Sequence, residues 1–243
     1  MGDVRPFATL VYEKRGAVAV VTLDRPECLN AYGVAMRDDL FAVLGAIDDD
    51  PEVRAMVLRG NGPAFSTGGD LREFGAAPSP VIARRVRFQR DVWGRLLGLR
   101  AATVAAVHGW TVGGGLEMAL LCDLCVAASD TRLGLPETGV GMIPGVAGTQ
   151  TLPRRVGVGR ALAMTLCPGW TPARDALRLG LVNRVVPRAR LDTAALALAR
   201  RLAALDPALV AAVRRCVRAA HDLPLADGVA LERRIAAGLR TPR

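Results

Sequence analysis

The chain reads as an α/β fold, and three observations carry that reading. Short, continuously apolar runs at residues 17–23 (AVAVVTL), 55–58 and 103–107 have the length and composition of buried strands. Between them lie stretches with apolar residues three and four apart, as at Met36, Leu40, Val43, Leu44 and Ile47. Twice, a strand leads through a glycine turn into a helix start, at Gly68–Gly69 and again at Gly113–Gly114–Gly115, which reads as an internal repeat.

Taken in order, residues 9–12 and 17–23 form two strands, with the turn residues 13–16 making a hairpin. DRPECLNAYG breaks the pattern, and the helix through Ile47 ends in the acidic DDDP. The strand at 55–58 enters the loop RGNGPAFSTGGD, after which LREF begins a helical turn. Pro78 and Pro80 mark a small-residue linker, expected to be mobile, before an arginine-rich helix over 81–99. The strand at 103–107 precedes HGWTVGGGLEMALLCD, with a helix over 116–121, and another strand follows at 124–128. A glycine- and proline-rich segment carrying Glu137 comes next, then a helix over 152–164. TPARDALRLG forms a helix closed by Gly180, LVNRVVP a last short strand, and LDTAALALARRLAAL and ALVAAVRRCVRAA two amphipathic helices.

Composition narrows the function. With 51% hydrophobic and 23% charged residues among 243, the chain is globular rather than disordered. Its start has no apolar signal-peptide core and no run reaches membrane-spanning length, so a cytoplasmic protein without membrane contact is expected. The five scattered cysteines form no disulfide framework, and Cys122 and Cys125, a lone C-x-x-C, have no partner cluster for a metal. The net charge of +9 is almost wholly arginine, Lys14 being the only lysine. With 4% aromatic residues and no nucleic-acid-binding motif, that charge suits a small anion or solvation better than nucleic acid.

The chemistry centres on the second glycine turn. The first N–H groups of a helix have no internal acceptor and carry the positive end of its dipole. A substrate oxygen gaining negative charge is well placed against them. Glu117 lies in the first turn of an otherwise apolar helix, where an unpartnered charge would be costly.

AFSTGGD, HGWTVGGGLEMALLCD and LPETGVGMIPGVAGTQ, in this order and spacing, closely resemble the crotonase (enoyl-CoA hydratase/isomerase) superfamily. LDRPECLNAYG resembles the family's first substrate-contacting segment, and TPARDALRLGLVNRVVP its end-of-core segment. The resemblance implies an α/β, crotonase-like spiral of repeated ββα units over residues 1–187. A C-terminal helical region over 188–243 would then serve a homotrimer or hexamer. It implies a coenzyme A thioester as substrate, with coenzyme A part of that substrate and no tightly bound cofactor or metal. The N–H groups of Gly69 and Gly114 would form an oxyanion hole, with Glu117 and Glu137 sharing acid and base work around one water. Two carboxyl groups in one site divide such work because like charges resist ionising together.

The same resemblance places Arg72 near the coenzyme's phosphates. It adds Arg25, Ala31, Ala64, Ser66, Gly68, Asp70 and Leu71 as contacts from the first half of the chain. Trp110, Gly113, Pro136 and Gly145 are the contacts from the second. Phe74, Phe88, Trp93 and Trp110 are candidates for an acyl pocket or for core packing, and His108 reads as structural. Retention of both glutamates favours a hydratase. Double-bond isomerisation, a hydrolytic or C–C bond reaction, and a non-catalytic acyl-CoA-binding scaffold are the alternatives. Ala147 stands where many members have glycine. The chain ends at GLRTPR where members typically continue with another helix, so coenzyme binding is expected to be weaker and more salt-sensitive.

Overall fold

In the computed structural model the described residues are 7–73, 79, 81, 82 and 89–239. The linker prolines Pro78 and Pro80 and the pocket candidates Phe74 and Phe88 lie outside them. Strands β1 (Leu10–Arg15) and β2 (Val18–Leu23) form the antiparallel hairpin, turning at Gly16 with φ 66°. Strands β3 (Ala55–Gly60), β4 (Ala102–Val107), β6 (Leu124–Ala128) and β9 (Arg184–Val186) add in parallel, in the order β1-β2-β3-β4-β6-β9. A second, three-stranded sheet joins β5 (Trp110–Val112), β7 (Arg132–Gly134) and β8 (Thr171–Pro172).

The apolar runs are continuous because the large sheet is covered on both faces. Ala19, Val21 and Leu23 of β2, with Met56 and Leu58 of β3, face one core. That core is filled by helices α1 (Val34–Asp49), α2 (Val92–Gly98) and α3 (Gly114–Leu121). Their strand neighbours Val18, Val20, Ala55, Val57, Val104 and Val126 face a second core, against α7 (Leu191–Ala203). Helix α7 presents Leu191, Ala195, Ala199 and Ala203, one residue per turn, and the small side chains let its backbone lie close to the sheet.

Several boundaries differ from those read off the sequence. Strand β1 runs to Arg15, because its hairpin partner holds the whole of Tyr12–Arg15 in register. The expected helix over 81–99 is not continuous, since α2 starts afresh at Asp91, whose carboxylate accepts the Gly94 N–H at 2.8 Å. Gly157, at φ 81°, divides the expected helix over 152–164 into α4 (Gly148–Val156) and α5 (Val158–Leu166). Helix α6 (Ala173–Arg178) follows β8 and ends before Gly180, as the sequence suggests. Beyond α7 lie α8 (Pro207–Ala219) and α9 (Leu225–Gly238), the latter not read as a separate helix from the sequence.

Among the described residues, no helix is long and apolar enough to cross a membrane. Cys122 and Cys125 are buried thiols, and burial pushes both upward in pKa, Cys125 to about 12, which keeps them in the unreactive thiol form.

Candidate active site

The first glycine loop is built on Asn30. This residue is fully buried, at φ 55°, and its side-chain carbonyl accepts the Arg25 N–H. Its amide donates to the carbonyls of Asn61 and Ala64 at 2.8 and 2.9 Å, tying the LNAY turn to the loop after β3. Ser66 Oγ donates to the Asn30 carbonyl and accepts the Gly68 N–H at 3.1 Å. Two main-chain bonds then bridge the loop to Tyr32: its N–H to the Gly68 carbonyl, and the Asp70 N–H to its carbonyl, both 2.8 Å. They use the groups on either side of Gly69 and leave the Gly69 N–H outside the pairing.

The second glycine turn meets the first directly. The Ser66 carbonyl accepts the Val112 N–H at 3.0 Å, the Ser66 N–H donates to Trp110, and Gly113 turns at φ 53° into α3. A β-carbon on Gly68 would lie 2.8 Å from the Gly114 nitrogen, and one on Gly115 would lie 2.3 Å from the Ser66 carbonyl oxygen. Only glycine permits two main chains to approach so closely. Helix α3 begins at Gly114 rather than at Leu116, so the Gly114 N–H is its first helical donor and has no acceptor within the helix.

The two glutamates are held differently. Glu117, one turn into α3, is 1% exposed, and its Oε1 accepts the N–H groups of Val146 and Gly148 at 2.8 and 2.6 Å. The loop before α4 thus holds the buried carboxylate. A β-carbon on Gly148 would lie 2.7 Å from that same oxygen. Glu137 opens a 3₁₀ turn, Glu137–Val140, with Pro136 at its cap. Its Oε1 lies 3.0 Å from the place a β-carbon on Gly113 would take, while its buried Oε2 has no hydrogen-bond partner among the described residues. Burial raises the Glu137 carboxyl above its ordinary pKa.

The remaining expected contacts sort into groups. Arg25 donates to the Ala31 carbonyl at 2.8 Å and reaches Asp70, which also receives a two-pronged bond from Arg72 at 2.9 and 2.7 Å. These hydrogen bonds, those of Arg72 above all, hold the Asp70 carboxyl well below its usual range. Leu71 is exposed beside them, and exposed Gly145 precedes Val146. Trp110 turns its ring to Trp170, centroids 5.1 Å apart, within the small sheet. His108 is buried, with Nε2 3.1 Å from the Gly62 carbonyl, in the wall of a polar cavity of about 590 Å³ that Arg59, Arg188 and Asp192 also line.

Sequence reasoning missed the Val146 and Gly148 N–H groups, because main-chain donors leave no side-chain signature. It named Ala31 of the LNAY turn as a contact but not Asn30 or Tyr32, which tie that turn to the two glycine loops.

Comparison with known proteins gives the family. Residues 13–239 match the family model described as enoyl-CoA hydratase/isomerase. A probable enoyl-CoA hydratase of Mycobacterium tuberculosis is 33% identical over 232 residues, 94% of this chain and 88% of that protein. A short-chain-enoyl-CoA hydratase of Clostridium acetobutylicum is 35% identical, over 92% of this chain and 86% of its own. The crystal structure of an enoyl-CoA hydratase from Bacillus anthracis superimposes with a TM-score of 0.89 at 30% identity, covering 95% of this chain and 90% of the other. With its sheet covered on both faces, its paired glycine turns and these relatives along nearly its whole length, the chain belongs to the enoyl-CoA hydratase/isomerase family of the crotonase superfamily.

Proposed function

We propose that the protein is an enoyl-CoA hydratase, adding water reversibly across the C2–C3 double bond of 2-trans-enoyl-CoA thioesters. The observation that carries this reading is the pair of buried carboxyl groups in unlike environments, Glu137 against Gly113 and Glu117 one turn into the helix that Gly114 opens. Glu117 is anchored by two main-chain donors, and Glu137 is desolvated with one oxygen unpartnered. Burial raises the Glu137 carboxyl, which suits a proton donor near neutral pH. Glu137, its pKa raised, is the acid, and Glu117 is the base.

In the forward direction the water oxygen bonds to C3 as Glu117 takes a water proton. The double-bond electrons shift toward the thioester oxygen, which the N–H groups of Gly69 and Gly114 stabilise, each donor contributing about 3–4 kcal/mol. The enolate then takes a proton at C2 from Glu137, and proton exchange through the site resets the pair. The Arg25–Asp70–Arg72 cluster faces the coenzyme's phosphates in this reading, and the working protein is a homotrimer or hexamer.

Hydration and isomerisation rates in labelled water test the assignment, for wild type, Glu117→Gln, Glu137→Gln and the double variant. Each single change is expected to lose at least about a hundredfold in hydration. The losses combine less than additively, since groups acting as a unit fail together. Wild-type hydration in both single variants overturns the reading. Conversion of 3-enoyl thioesters without uptake of solvent oxygen, surviving the loss of one glutamate, marks an isomerase instead.

A further inference from the structure

The peptide unit that presents the Gly69 N–H joins two glycines, whose backbone angles are the least restricted of any residue. The aim of that N–H must therefore be set by neighbours. Within a planar trans unit the carbonyl and the N–H point in opposite directions. The Gly68 carbonyl accepts the Tyr32 N–H at 2.8 Å, so the Gly69 N–H is turned away from it. On the other side of the Gly68 α-carbon, the Gly68 N–H donates to Ser66 Oγ at 3.1 Å. That hydroxyl gives its own proton to the Asn30 carbonyl at 2.8 Å, and Ser66 and Asn30 are both fully buried. Leu29 and Asn30 lie at φ 54° and 55°, a left-handed conformation that leucine in particular resists. Their carbonyls accept the Thr67 N–H and the Ser66 hydroxyl, so the first glycine loop holds the strained turn in place. Ser66 also belongs to the second glycine turn. Its N–H donates to Trp110 and its carbonyl accepts from Val112, while a β-carbon on Gly115 would lie 2.8 Å from Ser66 Cβ.

We propose that Ser66 is the positioning residue of the oxyanion site. Its hydroxyl clamps Gly68 and so aims the Gly69 N–H, while its main chain keeps the first loop in register with the turn that presents Gly114. The inference rests on the thioester reading above. A hydroxyl has one proton, and that of Ser66 is committed to Asn30, so the residue acts through Gly68 rather than by touching substrate. Without the hydroxyl, Gly68 is held on one side only, and its N–H and the Asn30 carbonyl lose a buried partner. The Gly68–Gly69 unit then rotates at glycine's low cost, and the donor is no longer in place before charge develops. Donors fixed in advance are effective because nothing reorganises during the reaction, and small misplacements are costly.

The test pairs kinetics with a probe of the donors themselves. Hydration of 2-trans-butenoyl-CoA gives kcat and KM. Infrared difference spectra of bound butanoyl-CoA, isotope-labelled at the carbonyl, report the pull on that oxygen whatever the chemistry, since butanoyl-CoA has no double bond to hydrate. Wild type is expected to lower the carbonyl frequency relative to free thioester. Ser66→Ala is expected to lose most of that shift and to lower kcat about ten- to a hundredfold. Its KM, and the calorimetric Kd for butanoyl-CoA, are expected to stay within about threefold of wild type. A merely structural loss lowers the denaturation midpoint and leaves the carbonyl frequency of the folded complex unchanged. Ser66→Cys keeps a weaker donor and acceptor and is expected to fall between the two in both measures. It carries the test if the alanine variant does not fold, and a cysteine variant equal to wild type in both then overturns the proposal. A folded Ser66→Ala protein with the wild-type carbonyl frequency overturns it whatever its kcat. Absence of any shift in wild type removes the oxyanion site and the role of Ser66 together. If nothing is hydrated while the shift is present and falls in Ser66→Ala, the hydratase reading falls and the positioning role stands. Hydration by wild type with no change of shift in the variant leaves the hydratase and removes the role.

Discussion

Ala147 lies at φ 75°, ψ 11°, a left-handed conformation that an L side chain adopts only with strain. It sits between Val146 and Gly148, whose N–H groups hold Glu117, so packing around a buried carboxylate keeps the residue there. Ala147→Gly is expected to raise stability by about 0.5–1 kcal/mol, read from denaturant midpoints at unchanged slope. An unchanged or lower midpoint would mean that the strain is relieved elsewhere. Glu137 is a second residue at which site and stability conflict. Its folded pKa is raised by burial, so its contribution to stability is full below the unfolded carboxyl value and is lost as pH rises through the raised one. Glutamine has no such dependence. Glu137→Gln should therefore gain on wild type as pH rises from 4 to 8, while its hydration activity collapses. Denaturation at several pH values checks this, and a difference independent of pH would contradict the desolvated carboxyl.

Among the elements, α8 depends on one side chain from the central strand region. Asp123, just after α3, accepts the Thr103 N–H and hydroxyl at 2.8 and 3.0 Å with one oxygen. With the other it accepts bonds from Arg214 and Arg218 of α8 at 2.9 and 2.8 Å. None of the α8 residues is buried, so these charge-assisted bonds and the Arg214 bonds to the carbonyls of Leu99 and Arg100 secure the helix. Asp123→Ala removes the shared acceptor and leaves a mostly buried arginine facing carbonyls alone. A loss of about 2–4 kcal/mol is expected. Hydrogen exchange should show α8 opening before the large sheet. Equal protection of the two would mean that apolar contacts, not Asp123, hold the helix. The large-sheet strands and the helices through α8 were legible from periodicity, whereas the small sheet, α9 and the breaks at Asp91 and Gly157 were not. Each break depends on a local backbone conformation, and a helical pattern of side chains runs through both without a mark.

At the scale of the whole molecule, apolar surface remains. Val140, Ile143, Val158, Leu162 and Leu166 are exposed around the 3₁₀ turn and α5, and Leu209, Val213, Val217 and Leu225 on α8 and α9. Contiguous exposed apolar patches mark association surfaces. Light scattering at micromolar concentration is expected to give three or six times the 25.6 kDa chain mass. A monomer mass would count against the proposed assembly without touching the proposed chemistry.

The α/β class and the two glycine turns follow from the sequence by itself, and the pairing of Glu117 with Glu137 from its resemblance to the family. Apolar periodicity and glycine are local signals, written in neighbouring residues. Only the tertiary structure decided that α7 forms the second layer of the sheet, where alanines spaced one turn apart look like a generic amphipathic helix. It alone decided that Val146 and Gly148 grip Glu117 across 29 and 31 residues of chain. It alone set Tyr32 against Gly114, and Trp93 of a distant helix against Tyr32. Such contacts join residues remote in sequence through main-chain atoms and ring faces, whose positions depend on how the layers close rather than on any local pattern.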